Sequence, residues 1–170
     1  MKNELLDILR SCSEPKICVL GIGSEFKADD SAGVVIVNEL QRMCDEKKCI
    51  DETRVMFLNC STAPENFTGF IKEFGPTHLM LIDAAEMGEK PGTIKFIPSG
   101  KVGGVSFATH VLPIAVMINY LKQSIKFESV IMGIEPKNLV FGTEMSSEVK
   151  EATKKLSALI FEVLDTCLNK

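Results

Sequence analysis

The chain has 170 residues, a formal net charge of −4 and a hydrophobic content of 45%. These values fit one folded domain, which we take to span residues 1–170, and they exclude an intrinsically disordered chain. The negative charge, with no basic block longer than two lysines, argues against a nucleic-acid partner.

Apolar runs alternate with amphipathic stretches along the chain, which is the pattern of an α/β fold. The strands are predicted from short apolar runs and the helices from apolar residues spaced three and four apart. In chain order, we predict a helix over residues 3–11, a strand over 16–21, a helix over 30–44, a strand over 53–59, a helix over 64–74, strands over 77–83 and 93–98, a helix over 110–122, a strand over 129–133 and a helix over 147–168.

This order of elements predicts a single three-layer α/β domain. Its core is a mostly parallel, twisted five-stranded sheet with helices on both faces. In such sheets, ligands bind beyond the carboxyl ends of the strands. We therefore expect the functional residues at that edge of the sheet.

Two acidic features lie at this edge. A glycine-rich turn over residues 21–23 is followed by the pair Asp29 and Asp30, where a helix begins. As the structural alternative, Asp29 could be an ordinary N-cap and Asp30 a favourable charge in the first helical turn. Asp83 ends an apolar strand, so its carboxylate must be hydrogen-bonded, solvated or bound to a ligand. A cap of the following loop is the structural alternative for Asp83.

His110 is the third candidate, at the start of a helix whose first turn holds Pro113. The positive end of a helix disfavours imidazolium, and neutral imidazole is the form that binds metal. A half-buried histidine with a purely structural role is the alternative. The other histidine, His78, lies at the opposite edge and is predicted to be structural. Two carboxylates and one imidazole would form a three-ligand site with open positions.

Five motifs follow one another along the chain: Gly21-Ile22-Gly23 with Asp29-Asp30, then Thr62-Ala63-Pro64-Glu65-Asn66, Leu81-Ile82-Asp83, Ala108-Thr109-His110-Val111-Leu112-Pro113 and Gly133-Ile134-Glu135-Pro136. In these motifs and in their order, the sequence resembles the hydrogenase maturation endopeptidases from about residue 17 to about residue 136. It departs from the family's pattern at Ser24, where Asn is usual, and at Ser31, where Gly is frequent.

The resemblance implies an endopeptidase that removes a short carboxyl-terminal extension from the large-subunit precursor of a nickel–iron hydrogenase. It implies nickel ligands at Asp30, Asp83 and His110, and catalytic roles for Asp30 and Asp83. We expect nickel to arrive within the substrate, so that the free protein is metal-empty. Nickel would either polarise the scissile carbonyl or only position the substrate.

Other classes of protein compete with this interpretation. A non-catalytic nickel-binding maturation chaperone would use the same three ligands, and an inactive scaffold would keep only the fold. A dinucleotide-binding domain is disfavoured because Phe26 stands where its third glycine is needed, and no acid follows the second strand. Ser31 and Cys60 lie near the edge without a recognisable nucleophile motif.

The sequence also bears on the cellular location of the protein and on the state of its thiols. Two acids interrupt the first seven residues, and the longest apolar stretch, residues 111–118, is too short to span a bilayer. We therefore expect a cytoplasmic protein with no membrane partner. The six cysteines contain no Cys-x-x-Cys pair, so reduced thiols are expected. We also expect a monomer.

Overall fold

The computed structural model describes residues 1–48, 50–51, 53–97, 106–107 and 114–168. The strands are β1 (Ile17–Ile22), β2 (Val55–Ser61), β3 (His78–Glu86), β4 (Ile94–Phe96), β5 (Ser106–Phe107) and β6 (Glu128–Ile134). The helices are α1 (Lys2–Leu9), α2 (Ala32–Lys47), α3 (Thr68–Phe74), α4 (Ile114–Lys122) and α5 (Ser147–Leu168), with 3-10 turns at Ala28–Ser31 and Pro64–Phe67.

Five strands form the sheet in the order β2-β1-β3-β6-β4. The pairs β2–β1, β1–β3 and β3–β6 are parallel, and β4 runs antiparallel to β6 at one edge. The mostly parallel five-stranded sheet is therefore confirmed. The two-residue strand β5, which pairs antiparallel with the end of β3, was not predicted.

The two central strands, β1 and β3, are buried along nearly their whole length. One face of the sheet packs against α1, α2 and α5, and the other packs against α3 and α4. Helices on both faces leave no solvated side for a central parallel strand, which explains its continuous apolar sequence. This layering confirms the predicted α/β class.

The strand β3 is longer than predicted. It continues to Glu86, so Asp83 lies within the strand and not at its end. Asp83 pairs with Gly133 of β6, and the ladder continues through Ala84. The neighbourhood of Gly133 is closely packed, since a Cβ atom there would lie 2.7 Å from Cδ1 of Ile97 and 2.9 Å from Cβ of Ala85. Glycine at this position lets β6 pair with β3 past Asp83.

The predicted helix over residues 30–44 has a different start. A 3-10 turn, Ala28–Ser31, contains both acids, and α2 begins only at Ala32. The predicted start of the fourth helix, residues 110–113, lies outside the described residues. The closing helix α5 has the predicted bounds.

Gly33 brings the first turn of α2 into direct contact with the sheet. A Cβ atom at this position would lie 2.2 Å from the carbonyl oxygen of Ile82 and 2.4 Å from that of Ile22. Any side chain would therefore push α2 away from β1 and β3. Glycine at this position holds the 3-10 turn with its two acids close to the carboxyl edge of the sheet.

Candidate active site

Asp30 is fully buried in the 3-10 turn after β1. The backbone N–H of Ser24 donates a 2.7 Å hydrogen bond to its Oδ2 atom. Gly23 has a φ of +135°, and a Cβ atom there would lie 1.7 Å from the carbonyl oxygen of Asp30. Only glycine fits this close approach, so the glycine-rich turn folds back on Asp30 and fixes its position.

Asp83 is the second fully buried carboxylate of the site. Its neighbour Ile82 pairs with Gly21 of β1, so Asp83 lies level with the start of the glycine-rich turn. The 3-10 turn that carries Asp30 contacts β3. The structure therefore brings the elements that carry Asp30 and Asp83 together at one edge of the sheet, as predicted.

His110 lies outside the described residues, so its predicted place beside the two carboxylates remains a prediction. Within the ranges that the structure describes, no group of three His, Cys, Asp or Glu residues is arranged to hold a metal ion. Two carboxylates and one imidazole are a donor set that suits divalent transition metals. Asp30 and Asp83 would supply the oxygen donors of such a set.

Asp29 has a different role from its neighbour. Its fully buried carboxylate accepts hydrogen bonds from the backbone N–H groups of Lys137 and Asn138, both at 2.8 Å. It also accepts bonds from the N–H and Oγ of Ser146, at 2.6 and 2.9 Å. It makes no helix-capping bond. The alternative of Asp29 as a helix cap is therefore wrong, and Asp29 binds the loop over residues 137–146 to the 3-10 turn.

Glu135 organises the neighbouring loop and was missed as a functional candidate. Its side chain is 7% exposed, and its Oε2 accepts hydrogen bonds from the N–H groups of Met87 at 2.7 Å and Glu89 at 3.1 Å. These bonds fix the chain directly after β3. The sequence feature that could have identified Glu135 is the motif Gly133-Ile134-Glu135-Pro136, where a charged residue follows a buried strand.

The contacts of Ser31 and Cys60, the two possible nucleophiles near this edge, do not activate either residue. Burial raises the pKa of the Cys60 thiol to about 12, and the charge of Glu65 adds to the rise. Burial also raises the pKa of Cys18. The Oγ of Ser31 donates to the carbonyl oxygen of Ala28 at 2.6 Å, within its own turn. A thiolate or serine mechanism therefore has no support in these residues.

The dinucleotide-binding alternative is also disfavoured by the geometry. In that motif, backbone N–H groups at the glycine turn remain available for a pyrophosphate. Here the N–H of Ser24 binds the carboxylate of Asp30, and the carbonyl of Asp30 fills the space beside Gly23. An anionic phosphate would meet a buried carboxylate at this turn.

The fold and its paired carboxylates define a small doubly wound α/β protein with an acidic site at the carboxyl edge of its sheet. The chain belongs to the hydrogenase maturation protease family, whose sequence profile matches residues 34–163. It is accordingly a peptide hydrolase.

Individual relatives agree with this assignment. A Methanocaldococcus jannaschii protein whose name assigns it to hydrogenase maturation is 38% identical, over 97% of this chain and 96% of its own. The hydrogenase 3 maturation protease of Escherichia coli is 29% identical, over 80% of this chain and 83% of its own. The crystal structure of the nickel–iron hydrogenase maturation protease HycI from Thermococcus kodakarensis superimposes with a TM-score of 0.82 and 28% identity, covering 95% of this chain and 98% of that one.

None of the helices in the described part of the chain has the length and hydrophobicity needed to cross a bilayer.

Proposed function

We propose that the protein removes a short carboxyl-terminal extension from a nickel-loaded large-subunit precursor of a nickel–iron hydrogenase. The observation that carries this proposal is the presence of two fully buried carboxylates, Asp30 and Asp83, at the ligand-binding edge of a hydrogenase maturation protease. The names of similar proteins, a hydrogenase 3 maturation protease among them, support a hydrogenase client. The protein would act in the cytoplasm as a monomer.

Nickel in the substrate would be the recognition element. A set of two carboxylates and an imidazole from Asp30, Asp83 and His110 also accepts zinc, and it binds copper more tightly than nickel. Affinity alone would therefore select the wrong metal. Selectivity is better explained if the nickel arrives already held by the precursor and these three residues complete its coordination. The free protein would then be metal-empty.

The two carboxylates would also carry the chemistry. One of Asp30 and Asp83 would accept a proton from the attacking water, a role in which a positioned base contributes about 10²- to 10⁴-fold. Substrate nickel, when bound, would supply a Lewis acid near the scissile carbonyl or would serve only to position the precursor. The hydrogen bond from the N–H of Ser24 orients the Asp30 carboxylate before the substrate arrives, which reduces the reorganisation needed on binding.

The test is incubation of the purified protein with nickel-loaded and nickel-free precursor, followed by mass spectrometry of the precursor. We expect loss of a short tail from the loaded form only. Asp30→Asn and Asp83→Asn keep the shape of each side chain, and each should slow cleavage by at least about 100-fold. Asp45→Asn, an exposed position on α2, is the matched control and should cleave at the normal rate.

Three results would overturn parts of this proposal. Equal cleavage of the loaded and nickel-free precursors would remove nickel as the recognition element. Stoichiometric nickel in the freshly purified protein, with no cleavage of any precursor, would favour the nickel-binding maturation chaperone. Normal processing by Asp83→Asn would remove the acidic pair from the mechanism.

A further inference from the structure

Three apolar side chains stand in solvent on the two loops that Asp29 joins. Phe26 is 70% exposed, Phe141 is 73% exposed and Val140 is 59% exposed. The rings of Phe26 and Phe141 contact each other, with centroids 6.2 Å apart. We call Phe26, Val140 and Phe141 the aromatic rim. Its members come from loops more than 100 residues apart in the sequence, so the fold assembles the surface.

The aromatic rim is held in place by its backbone. The N–H of Gly142 donates to the carbonyl oxygen of Phe26 at 2.8 Å. The N–H of Val140 donates to the side chain of Asn138 at 3.0 Å, and its carbonyl accepts from Thr143 at 2.9 Å. The buried carboxylate of Asp29 fixes both loops from below. Exposed aromatic groups that are already ordered lose little entropy when a partner covers them.

The aromatic rim is joined to the candidate active site through the loop that follows the glycine-rich turn. Phe26 lies four residues before Asp30 and two after Ser24, whose N–H binds the Asp30 carboxylate. Because the protein is a peptide hydrolase, a polypeptide must reach this turn. The solvent side of the turn is the surface that the arriving chain meets first.

The size of the aromatic rim argues against a second copy of the protein as its occupant. Two phenylalanines and one valine can bury no more than about 500 Å². A stable protein interface buries about 600–1,000 Å² on each partner. A surface of this size suits one or two apolar side chains of an extended peptide.

We propose that the aromatic rim docks an extended segment of the precursor, carrying an apolar side chain, beside the bond that is cleaved. This inference rests on the proposed function, because it concerns the substrate of the same site. The rim contributes binding that is the same in the ground state and in the transition state. Its loss therefore raises KM and leaves kcat unchanged.

The test compares steady-state cleavage of nickel-loaded precursor by the wild type and by the double variant Phe26→Ser/Phe141→Ser. We expect KM to rise at least about tenfold, since central aromatic contacts dominate protein binding, with kcat changed by less than about twofold. The matched variant Phe26→Leu/Phe141→Leu keeps apolar side chains and should keep KM within about threefold. Thermal unfolding should be almost unchanged in both variants, because the rings are exposed.

Phe70→Ser is the control for loss of an exposed phenylalanine elsewhere, since Phe70 is 58% exposed and lies on α3. It should leave KM unchanged. An unchanged KM in the serine double variant would overturn the docking proposal while leaving the proposed function intact. So would a wild-type dimer in sedimentation equilibrium that the double variant converts to monomer without a change in KM. Failure of the wild type to cleave would instead reject the proposed function.

Discussion

His78 begins β3 at the edge opposite the acidic pair, and its side chain is 1% exposed. Its Nε2 atom lies 3.0 Å from the carbonyl oxygen of Ile8, which can only accept, so Nε2 carries a hydrogen. Its Nδ1 atom lies 2.8 Å from the hydroxyl of Thr77. These contacts join the end of α1 to the sheet, and they confirm the predicted structural role of this histidine.

Burial lowers the pKa of His78, although the carbonyl of Ile8 and the charge of Glu128 oppose the shift. The unfolded chain therefore binds a proton at a higher pH than the folded chain. The stabilising contribution is full above the ordinary histidine pKa of about 6.5, and it falls as the pH drops below that value. We expect the free energy of unfolding to decrease from pH 7 to pH 5, by at most about 1.4 kcal/mol per pH unit from this residue.

The measurement is urea denaturation at several pH values, for the wild type and for His78→Gln. Other titrating groups are common to both proteins, so the difference between the two slopes isolates His78. The variant should be less stable at pH 7 and should lose less stability on acidification. A steeper acid loss in the variant than in the wild type would contradict the lowered pKa.

Among the helices and strands, the bounds that depend only on the local sequence pattern were predicted best. The bounds of α5 were predicted correctly because its apolar stripe repeats over 22 residues. The predicted end of β3, at residue 83, was wrong because the carboxylate in the apolar run was taken to end the strand. The strand continues because β3 pairs with β6 beyond Asp83, and Gly133, the partner of Asp83, lies 50 residues away in the sequence.

The roles of the two adjacent acids, Asp29 and Asp30, also depend on contacts that the local sequence does not show. The residues alone did not distinguish Asp29 from Asp30, and the family resemblance selected Asp30. The partners of Asp29 lie 108 to 117 residues away, so no local pattern shows them. The rule that ligands bind at the carboxyl edge of a parallel sheet was sufficient to locate the site as a region. Which atoms face one another depends on contacts between distant segments.

The loop over residues 137–146 should depend on Asp29 for its place on the protein. In Asp29→Asn, the amide NH₂ replaces one acceptor oxygen and faces N–H donors of Lys137, Asn138 or Ser146. Buried donors that lose a charged acceptor each carry a desolvation cost. We expect the free energy of unfolding to fall by about 2–3 kcal/mol, measured by urea denaturation.

Limited proteolysis gives a second measurement for this loop, because a detached loop becomes a better substrate for an added protease. Cleavage between residues 137 and 146 should be faster in Asp29→Asn than in the wild type. Asp45→Asn is the matched control, and its free energy of unfolding should change by less than about 0.5 kcal/mol. Equal stability of the two variants would show that Asp29 does not hold the loop.

At the scale of the whole molecule, the distribution of thiols bears on the class of protease. Cys18, Cys44, Cys60 and Cys167 are buried in the core, and Cys12 is half-buried. Cys49 lies outside the described residues. Burial raises the pKa of Cys60, the buried thiol at the end of β2, to about 12, so less than about one in 10⁴ of these thiols is ionised at pH 7. The thiol of Cys60 donates to the carbonyl oxygen of Leu58, and the charge of Glu65 raises its pKa further, so its surroundings disfavour the thiolate.

We therefore expect cleavage to survive loss of the thiols. Cys60→Ala should keep kcat within about twofold of the wild type and should lose about 1 kcal/mol of stability, because it removes a small buried group.

Iodoacetamide should modify Cys12 before the buried thiols, with peptide mass spectrometry as the readout, and the treated protein should still process nickel-loaded precursor. Treatment of Cys12→Ser/Cys49→Ser in parallel removes the half-buried thiol and the thiol outside the described residues, and so isolates the effect of modifying the buried thiols. Inactivation of that double variant at the rate at which Cys60 is alkylated would mean that a thiol takes part in peptide hydrolysis, and the carboxylate mechanism would then be wrong.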